Sequence, residues 1–214
     1  MQDLLKDIFS FFPPHSIWDW LVILFILLFL VQIFYYLYFF TKIAFYKQPL
    51  LKKHSTPVSV IVCAKNEREN LLAFLPLILS QDYPDFEVIV VNDNDRFYGN
   101  KKFALTLGIK AAKNKIVLLT DADCKPTSNQ WISLMTAYEN PQKKIILGVG
   151  NYEQQPGFLN KLIRFETFYT AIQYTSYALR KLPYMGVGRN LSYHTDVFFN
   201  NKGLPFKNRG KLMG

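Results

Sequence analysis

Two carboxylates, Asp121 and Asp123, follow an apolar run at residues 116–120 and together could bind a divalent cation. Central strands of a parallel sheet are buried on both faces and read as continuous apolar runs. Ligands gather at the carboxyl ends of such strands. If the strand continues through residues 121–123, alternation points both carboxylates to the same side. Because Mg²⁺-like cations prefer one or two carboxylates plus substrate oxygens, the pattern predicts a metal that holds a diphosphate; the alternative is a polar strand end that caps a turn.

Two more apolar runs end in polar or acidic residues. Residues 58–64 precede Asn66 and Glu67, and residues 86–91 precede Asp93. Since the carboxyl ends of parallel strands meet at one edge of a sheet, we expect all three strand ends to lie together. Acids gathered there repel one another unless a cation lies among them. The sequence therefore predicts a nucleotide-diphosphate site with a metal.

Helical patterns alternate with these strands. Residues 71–79 show helical spacing with a proline, Pro76, that could kink the helix, and residues 101–113 show a second helix. Another strand is expected at residues 145–149. Strands alternating with helices indicate an α/β fold with a mostly parallel sheet and right-handed crossovers.

A long aromatic helix is predicted over residues 159–182. It either packs against the sheet or lies on a membrane surface, with basic residues supplying charge. Those basic residues are Lys161, Arg164, Arg180 and Lys181.

The amino-terminal part predicts one membrane-spanning helix, at residues 17–41 after a short segment at 1–16. About 20 apolar residues span a bilayer core. A basic linker follows at residues 42–57, and positive residues favour the cytoplasmic side. We therefore expect a single-pass protein of the inner or plasma membrane whose soluble domain is cytoplasmic.

The composition agrees with such a domain. The 214 residues include 50% hydrophobic residues, and the formal net charge is +9. A basic balance fits nucleic acid, an anionic membrane or phosphorylated ligands, but the sequence has no zinc-finger spacing or arginine-rich tract, so nucleic acid is not an expected partner. The two cysteines, Cys63 and Cys124, each follow a strand-like run, which favours a reduced pair over a disulfide scaffold.

The order of these segments resembles the family 2 glycosyltransferases. The segments that carry the resemblance are residues 58–67, 88–94, 102–108 and 120–123. The resemblance implies a GT-A-like, Rossmann-like domain over residues 58–214. It also implies inverting transfer of a sugar from a nucleotide-diphosphate sugar to a saccharide or lipid-linked acceptor, in cell-envelope glycan synthesis.

Site residues follow from the resemblance. Asp93 would contact the base of the nucleotide, with Ala64 and Glu67 beside it, and Lys101 or Lys102 would add positive charge. Asp123 is the expected ligand of Mg²⁺ or Mn²⁺, and Asp121 would face the metal and the nucleotide sugar. The full expected donor-binding set is Ala64, Asn66, Glu67, Asp93, Lys102 and Asp121.

Residues 183–190 border the acceptor site in the family. Gly188, Arg189 and Asn190 are the acceptor-side candidates, and Arg189 and Asn190 would contact a saccharide or a phosphate. The alternative is that this segment forms a structural turn.

The sequence departs from the family pattern in two places. Only residues 96–99 stand where the family carries a helix and an edge strand, which need about 17 residues together. No acidic motif of the kind that the family uses as general base follows, so we expect a domain that is incomplete at its carboxyl end. Asp196 belongs to a stretch that looks structural, and His194 is a weak substitute for the base.

Two alternatives to an active transferase therefore remain. In the first, the chain binds the nucleotide sugar but lacks the general base and does not turn it over. In the second, it is a nucleotidyltransferase, although such enzymes open with a glycine-rich phosphate loop and residues 64–67 contain no glycine.

Overall fold

The computed structural model describes residues 16–47, 56–92, 101–138 and 143–201. The helices are α1 (Ile17–Ala44), α2 (Arg68–Leu79), α3 (Lys101–Ala111), α4 (Trp131–Thr136), α5 (Phe158–Leu179) and α6 (Thr195–Asn200). The strands are β1 (Val58–Ala64), β2 (Phe86–Asn92), β3 (Ile116–Asp121), β4 (Ile145–Leu147) and β5 (Leu191–His194). A 3₁₀ turn, Gly188–Asn190, precedes β5.

The described chain divides into two compact units. The anchor unit contains residues 16–47 and 169–184, and the sheet unit contains the other described residues. Helix α5 is continuous, with residues 158–168 in the sheet unit and residues 169–179 in the anchor unit.

The sheet unit has one five-stranded sheet in the order β2-β1-β3-β5-β4. β1 pairs in parallel with β2 and with β3, whereas β5 pairs antiparallel with both β3 and β4. The expected α/β fold with flanking helices is therefore confirmed, with a mixed sheet in which two of the four strand pairings are parallel. Strand β5 was not predicted, because its four residues are too few to show a periodic pattern.

Strand β1 forms the centre of the core because it is paired on both edges and buried on both faces. Val58, Val60 and Val62 pack in one buried cluster, while Ile61 packs on the opposite face with Val117. This two-sided burial explains the continuous apolar run in the sequence.

Helix α3 approaches β1 closely at Gly108. A Cβ atom at that position would lie 2.6 Å from Cγ2 of Ile61 and 3.0 Å from Cγ2 of Val91. The absence of a side chain therefore lets α3 pack against the sheet and fixes where the amino-terminal end of α3 lies.

Helix α1 is long and apolar enough to cross a membrane. It has 28 residues with a mean hydropathy of 2.6 in its most apolar window, and none of that window is buried. At 1.5 Å per residue the helix is about 42 Å long, which exceeds the roughly 30 Å of a bilayer core. It extends to Ala44, three residues beyond the span expected from the sequence.

Contacts within the anchor unit join the end of α1 to the end of α5. The rings of Phe39 and Tyr177 stack with their centroids 4.1 Å apart. The hydroxyl of Tyr177 donates a hydrogen bond to that of Tyr35 at 3.0 Å. The guanidinium of Arg180 lies 4.1 Å from the ring centroid of Tyr38.

Three further details differ from the sequence prediction. Helix α2 begins at Arg68 and continues through Pro76, because a proline near the end of a helix removes a single backbone hydrogen bond. Strand β4 ends at Leu147, two residues earlier than expected. The short helix α4 was not predicted. The connection at residues 96–99 lies outside the described residues.

Candidate functional site

A cleft opens at the carboxyl ends of β1 and β3, the edge where the sequence placed the site. It has a volume of about 230 Å³. The lining residues are Cys63, Ala64, Lys65, Glu67, Lys101, Asp121, Ala122 and Asp123. Acidic and basic side chains therefore meet at a sheet edge where α/β proteins bind ligands.

The two aspartates reach the cleft from a strand end and from the turn that follows it. β3 ends at Asp121, and the backbone N–H of Cys124 donates to the carbonyl of Asp121 at 3.1 Å, which closes the turn. The N–H of Ala122 donates to the carbonyl of Cys63 at 3.1 Å and ties the turn to β1. From the sequence we had assumed that the strand continues through residues 121–123, which would point both carboxylates to the same side. The strand instead ends at Asp121, yet both carboxylates line the cleft.

Lys101 supplies the positive charge beside these acids. It lies at the amino-terminal end of α3, and its Nζ is 2.7 Å from the carboxylate of Asp121. Lys102, the other lysine offered by the sequence and a member of the expected donor-binding set, is exposed and does not line the cleft. A helix turns by about 100° per residue, so only one of two adjacent lysines can face Asp121, and the sequence alone could not decide which.

The end of β1 contributes the other wall of the cleft. Ala64 is buried there, and Glu67 accepts a hydrogen bond from the side-chain amide of Asn70 at 2.6 Å. Asn66 has a φ of 58°, in the left-handed region that asparagine tolerates, and turns the chain without lining the cleft. Lys65, which the sequence analysis did not select, lines the cleft.

Asp93, the expected contact of the nucleotide base, lies outside the described residues. β2 ends at Asn92, which pairs with Ala64 at the end of β1. The strand that leads to Asp93 thus ends at the same edge of the sheet as the cleft.

The donor atoms in the cleft suit a hard divalent cation. Asp121 and Asp123 offer carboxylate oxygens, which are the ligands that Mg²⁺ prefers and that suit Mn²⁺. Within the described ranges no three His, Cys, Asp or Glu side chains form a complete ligand cluster. The chain would therefore supply one or two carboxylates, and a diphosphate and water would supply the remaining oxygens.

Cys124 is not a ready nucleophile or metal ligand despite its place after Asp123. Burial, together with the neighbouring Asp123 carboxylate, raises the pKa of its thiol to about 11. Its Sγ lies 3.4 Å from Oδ1 of Asp123. At this pKa the thiol stays protonated at neutral pH. Because the thiolate is the reactive form, Cys124 is not ready to act as a nucleophile or as a metal ligand.

The loop that follows Asp123 is held by a buried glutamine that the sequence analysis did not select. The side-chain amide of Gln81 donates to the carbonyl of Ser128 at 2.9 Å, and its oxygen accepts from the N–H of Ile132 at 3.3 Å. The N–H of Asp82 donates to the carbonyl of Asn129 at 2.7 Å. These bonds fix the loop from its far end, so that the turn carrying Asp123 is held at both ends.

The acceptor-side candidates lie at the same edge of the sheet but do not line the cleft. The side-chain oxygen of Asn190 accepts from Nε1 of Trp131 at 3.1 Å, and its amide donates to the carbonyl of Val149 at 3.0 Å. Arg189 lies with its guanidinium 5.2 Å from the ring centroid of Tyr152. A Cβ atom at Gly188 would meet nothing within 4 Å. Asn190 thus has a structural role in this turn.

Asp196 and His194 lie at the opposite edge of the sheet from the cleft. β5 runs antiparallel to β3, and His194 pairs with Ile116, the first residue of β3, whereas Asp121 is the last. Five residue steps of strand separate the two ends by about 17 Å. Asp196 forms an ion pair with Lys144. The hydrogen bond that the Lys144 ammonium donates lowers the pKa of the Asp196 carboxyl. Neither residue can serve as a base in the cleft.

Comparison with known proteins agrees with this geometry. The profile described as glycosyl transferase family 2 matches residues 59–97. That segment runs from β1 through α2 and β2 and contains Glu67 and Asp93. No curated protein matches the chain at a significant level.

A solved structure supports the fold. The mannosyltransferase PcManGT from Pyrobaculum calidifontis, in complex with GDP-Man and Mn²⁺, is similar at a TM-score of 0.60 with 19% identity. The match covers 79% of this chain and 54% of the mannosyltransferase, so the chain spans about half the length of that structure.

Two other solved structures are less similar. The S. aureus TarS structure has a TM-score of 0.45 with 17% identity and covers 69% of this chain and 49% of TarS. Drosophila β1,4-galactosyltransferase 7 in complex with xylobiose has a TM-score of 0.45 with 18% identity. The match covers 70% of this chain and 53% of the galactosyltransferase chain.

The similarity to the solved structure shows the GT-A fold, and the matched segment shows a similarity to family 2 glycosyltransferases over part of the chain. The resemblance to family 2 glycosyltransferases is confirmed, with the matched family segment forming the β1–α2–β2 part of the fold.

Proposed function

We propose that this protein binds a nucleotide-diphosphate sugar in the cleft and transfers the sugar, with inversion, to a saccharide or lipid-linked acceptor. One observation carries the proposal: two carboxylates, Asp121 and Asp123, and the ammonium of Lys101 converge at the carboxyl ends of the parallel strands. This arrangement offers oxygen ligands for a cation and a positive charge for a diphosphate within one small cleft.

Each part of the cleft has a role in donor binding. Asp123 and Asp121 would hold Mg²⁺ or Mn²⁺, which when bound neutralises charge on the diphosphate leaving group. The β1 end, with Ala64, Asn66 and Glu67, would border the nucleotide, and Asp93 would contact its base. Lys101 would balance charge at Asp121 and beside the diphosphate, a role that the sequence left open between Lys101 and Lys102.

The chemistry of transfer requires a group that takes the proton from the acceptor hydroxyl. Among the residues that the structure describes, the acids that line the cleft are Glu67, Asp121 and Asp123, and all three are assigned to donor or metal binding. This observation favours a second candidate function, in which the chain binds the nucleotide sugar without turning it over.

Helix α1 would anchor the protein in the inner or plasma membrane. Lys42 and Lys47 lie at and beyond the carboxyl-terminal end of the helix, and the positive-inside rule supports a cytoplasmic sheet unit. A cytoplasmic cleft would meet nucleotide sugars where they are made. This location fits a role in the synthesis of a cell-envelope polysaccharide or glycolipid.

Calorimetry on the full chain in detergent tests donor binding. UDP and GDP are titrated separately, each with and without Mn²⁺, and we expect one of them to bind only when the metal is present. Asp123→Asn should abolish that metal-dependent binding, since it removes a charged ligand of the metal. Asp85→Asn is the matched control, because Asp85 is an exposed acid in the loop before β2, at the other edge of the sheet.

Binding of both nucleotides at equal strength with and without Mn²⁺, or binding unchanged in Asp123→Asn, would refute the proposed metal site. Turnover separates the two candidate functions. Release of GDP or UDP from GDP-mannose or UDP-GlcNAc in the presence of membrane acceptors would establish a transferase. Metal-dependent binding without release would favour the binding protein.

Membrane topology is tested by cysteine labelling in intact cells. Lys47→Cys should resist a membrane-impermeant maleimide until the cells are opened, whereas Ser16→Cys should react from outside. Both positions are exposed at opposite ends of α1. The reverse pattern would place the sheet unit outside the cytoplasm.

A further inference from the structure

A short loop of the sheet unit, between β4 and α5, exposes five polar residues in succession. Residues 151–155 read Asn-Tyr-Glu-Gln-Gln, and all five are exposed. Each side chain ends in a flat polar group, which is an amide, a carboxylate or a phenol. We call these residues the 151–155 loop, and its surroundings indicate what it binds.

The turn that carries the acceptor-side candidates holds the start of this loop. The side-chain amide of Asn190 donates a hydrogen bond to the carbonyl of Val149 at 3.0 Å. The guanidinium of Arg189 lies over the ring of Tyr152, 5.2 Å from its centroid, and this contact restrains the orientation of the ring. A Cβ atom at Gly150 would lie 3.4 Å from Cδ of Arg189, so the arginine packs closely along the chain before Tyr152. The Tyr152 ring is thus oriented by the protein while 49% of the residue is exposed.

The end of the loop is tied to the first turn of α5 and to the cleft. The side-chain amide of Asn160 donates to the carbonyl of Glu153 at 3.2 Å, and its oxygen accepts from the N–H of Gln155 at 3.0 Å. The carboxylate of Glu153 lies 3.6 Å from Nζ of Lys125, which is two residues beyond Asp123. The loop therefore lies between the turn that carries a proposed metal ligand and the turn that carries the acceptor-side candidates.

The side chains of the 151–155 loop fit a saccharide. Amides and carboxylates offer planar pairs of hydrogen-bonding atoms, which match neighbouring hydroxyl groups of a sugar. A tyrosine ring presents an apolar face against which the C–H side of a sugar ring can pack, and its hydroxyl offers a further hydrogen bond. Because the loop backbone is held beforehand, binding orders few groups and its entropic cost is small. A diphosphate fits less well, because the loop itself carries a carboxylate and no Lys or Arg.

We propose that the 151–155 loop binds the saccharide part of the acceptor, with one sugar ring packed on Tyr152 and its hydroxyl groups bonded to the neighbouring amides. The inference rests on the proposed transferase function and deepens it, because it assigns a saccharide to a defined surface of the sheet unit. A saccharide on this loop lies beside the turn that carries Asp123, which is where an acceptor has to meet a donor sugar held in the cleft.

Saturation-transfer difference NMR on the full chain in detergent tests the proposal. The probes are mannotriose, cellotriose and chitotriose, each titrated in the presence of Mn²⁺ with GDP or UDP. We expect at least one of them to bind, with the strongest transfer to the ring C–H protons of one sugar unit. Tyr152→Ala should weaken that binding about tenfold, whereas Tyr152→Phe, which keeps the ring, should weaken it less. Gln154→Ala should also weaken it, because an amide that bonds a hydroxyl group is lost.

Phe199→Ala is the matched control for the loss of an exposed aromatic ring. Phe199 is 52% exposed, close to the value for Tyr152, but it lies on α6, which follows the end of β5 at the edge of the sheet opposite the cleft. Its removal should leave saccharide binding unchanged. Thermal unfolding of each variant checks that it is folded, and Gln154→Ala tests the loop without touching the contact between Arg189 and Tyr152.

The outcomes separate the inference from the function on which it rests, because calorimetry of nucleotide with Mn²⁺ on the same samples tests the cleft independently. Nucleotide binding without transfer to any of the three probes, or with equal saccharide affinity in Tyr152→Ala and the unmodified chain, would refute the saccharide site and leave the donor site intact. A loss of nucleotide affinity in Tyr152→Ala would assign the loop to the donor and also refute the proposal. Saccharide binding without any nucleotide binding would support the loop and contradict the proposed donor site.

Discussion

Lys101 and Asp121 form an ion pair in the cleft, with the lysine Nζ 2.7 Å from the carboxylate. The lysine comes from the first turn of α3 and the aspartate from the last position of β3, so the pair joins a helix start to a strand end. The positive charge of Lys101 thus lies beside the Asp121 carboxylate before any ligand is bound.

We expect Lys101→Met to bind Mn²⁺ more tightly than the unmodified chain when no nucleotide is present, because a positive charge beside Asp121 is removed. The same variant should bind the metal–nucleotide complex more weakly, since the charge near the diphosphate is lost. Calorimetric titration of Mn²⁺ alone, and then of nucleotide with Mn²⁺, measures both effects. Lys102→Met is the matched control. Equal effects of the two substitutions would show that the ion pair has no special role.

Asn190 provides a test of the structural role of its turn. Asn190→Ala leaves Nε1 of Trp131 and the carbonyl of Val149 without their present partner, at a cost of about 1 kcal/mol for each lost bond. We expect a lower midpoint of thermal unfolding with unchanged affinity for nucleotide and Mn²⁺. If the variant kept its stability but lost transfer to the acceptor, Asn190 would instead be an acceptor contact.

Gly108 tests the close approach of α3 to β1. Gly108→Ala places a methyl group 2.6 Å from Cγ2 of Ile61, a buried and β-branched side chain with little freedom to move. Overpacking of this kind costs about 1–3 kcal/mol, against a gain of up to about 1 kcal/mol from helix propensity. The free energy of unfolding, measured with urea, should fall. Gly188→Ala, where the methyl group meets nothing within 4 Å, should change it little.

We expect the ionisation of Glu87 to make the free energy of unfolding depend on pH. Burial alone would raise the pKa of its carboxyl, but hydrogen bonds from Ser59 Oγ at 2.6 Å and from the Lys113 N–H at 2.8 Å outweigh burial and lower it below 4.5. Because the folded-state pKa is lowered, the stabilisation is complete above the unfolded pKa near 4.5 and is lost as the pH falls through the folded value.

Glu87→Gln should therefore flatten the fall in thermal stability between neutral pH and pH values below about 4.5, relative to the unmodified chain. Ser59→Ala should flatten it partly, because one of the two hydrogen bonds to the carboxylate is lost. Glu69→Gln, at an exposed position on α2, is the control for removing one titrating acid. A pH profile of Glu87→Gln that matches that of Glu69→Gln would contradict the assignment.

The sequence by itself determined the features that local physics fixes. Apolar runs of strand length at residues 58–64 and 116–120 require strands buried on both faces, and such strands must end at a common edge. That reasoning placed Asp121 and Asp123 at the cleft. The long apolar helix α1 could also be predicted from the sequence, because its length and composition alone are those of a segment that can span a bilayer.

Only the tertiary structure decided which side chains from distant parts of the chain meet. β5 inserts antiparallel beside β3, which puts His194 at the edge opposite Asp121 and removes it as a base. The side chain of Asn190 accepts a hydrogen bond from Trp131, 59 residues away. Asn190, which the sequence offered as an acceptor contact, therefore stabilises a turn within the protein. Lys101, not Lys102, reaches Asp121 because the packing of α3 at Gly108 fixes the rotation of that helix. Such contacts depend on the relative positions of whole elements, which no local pattern in the sequence encodes.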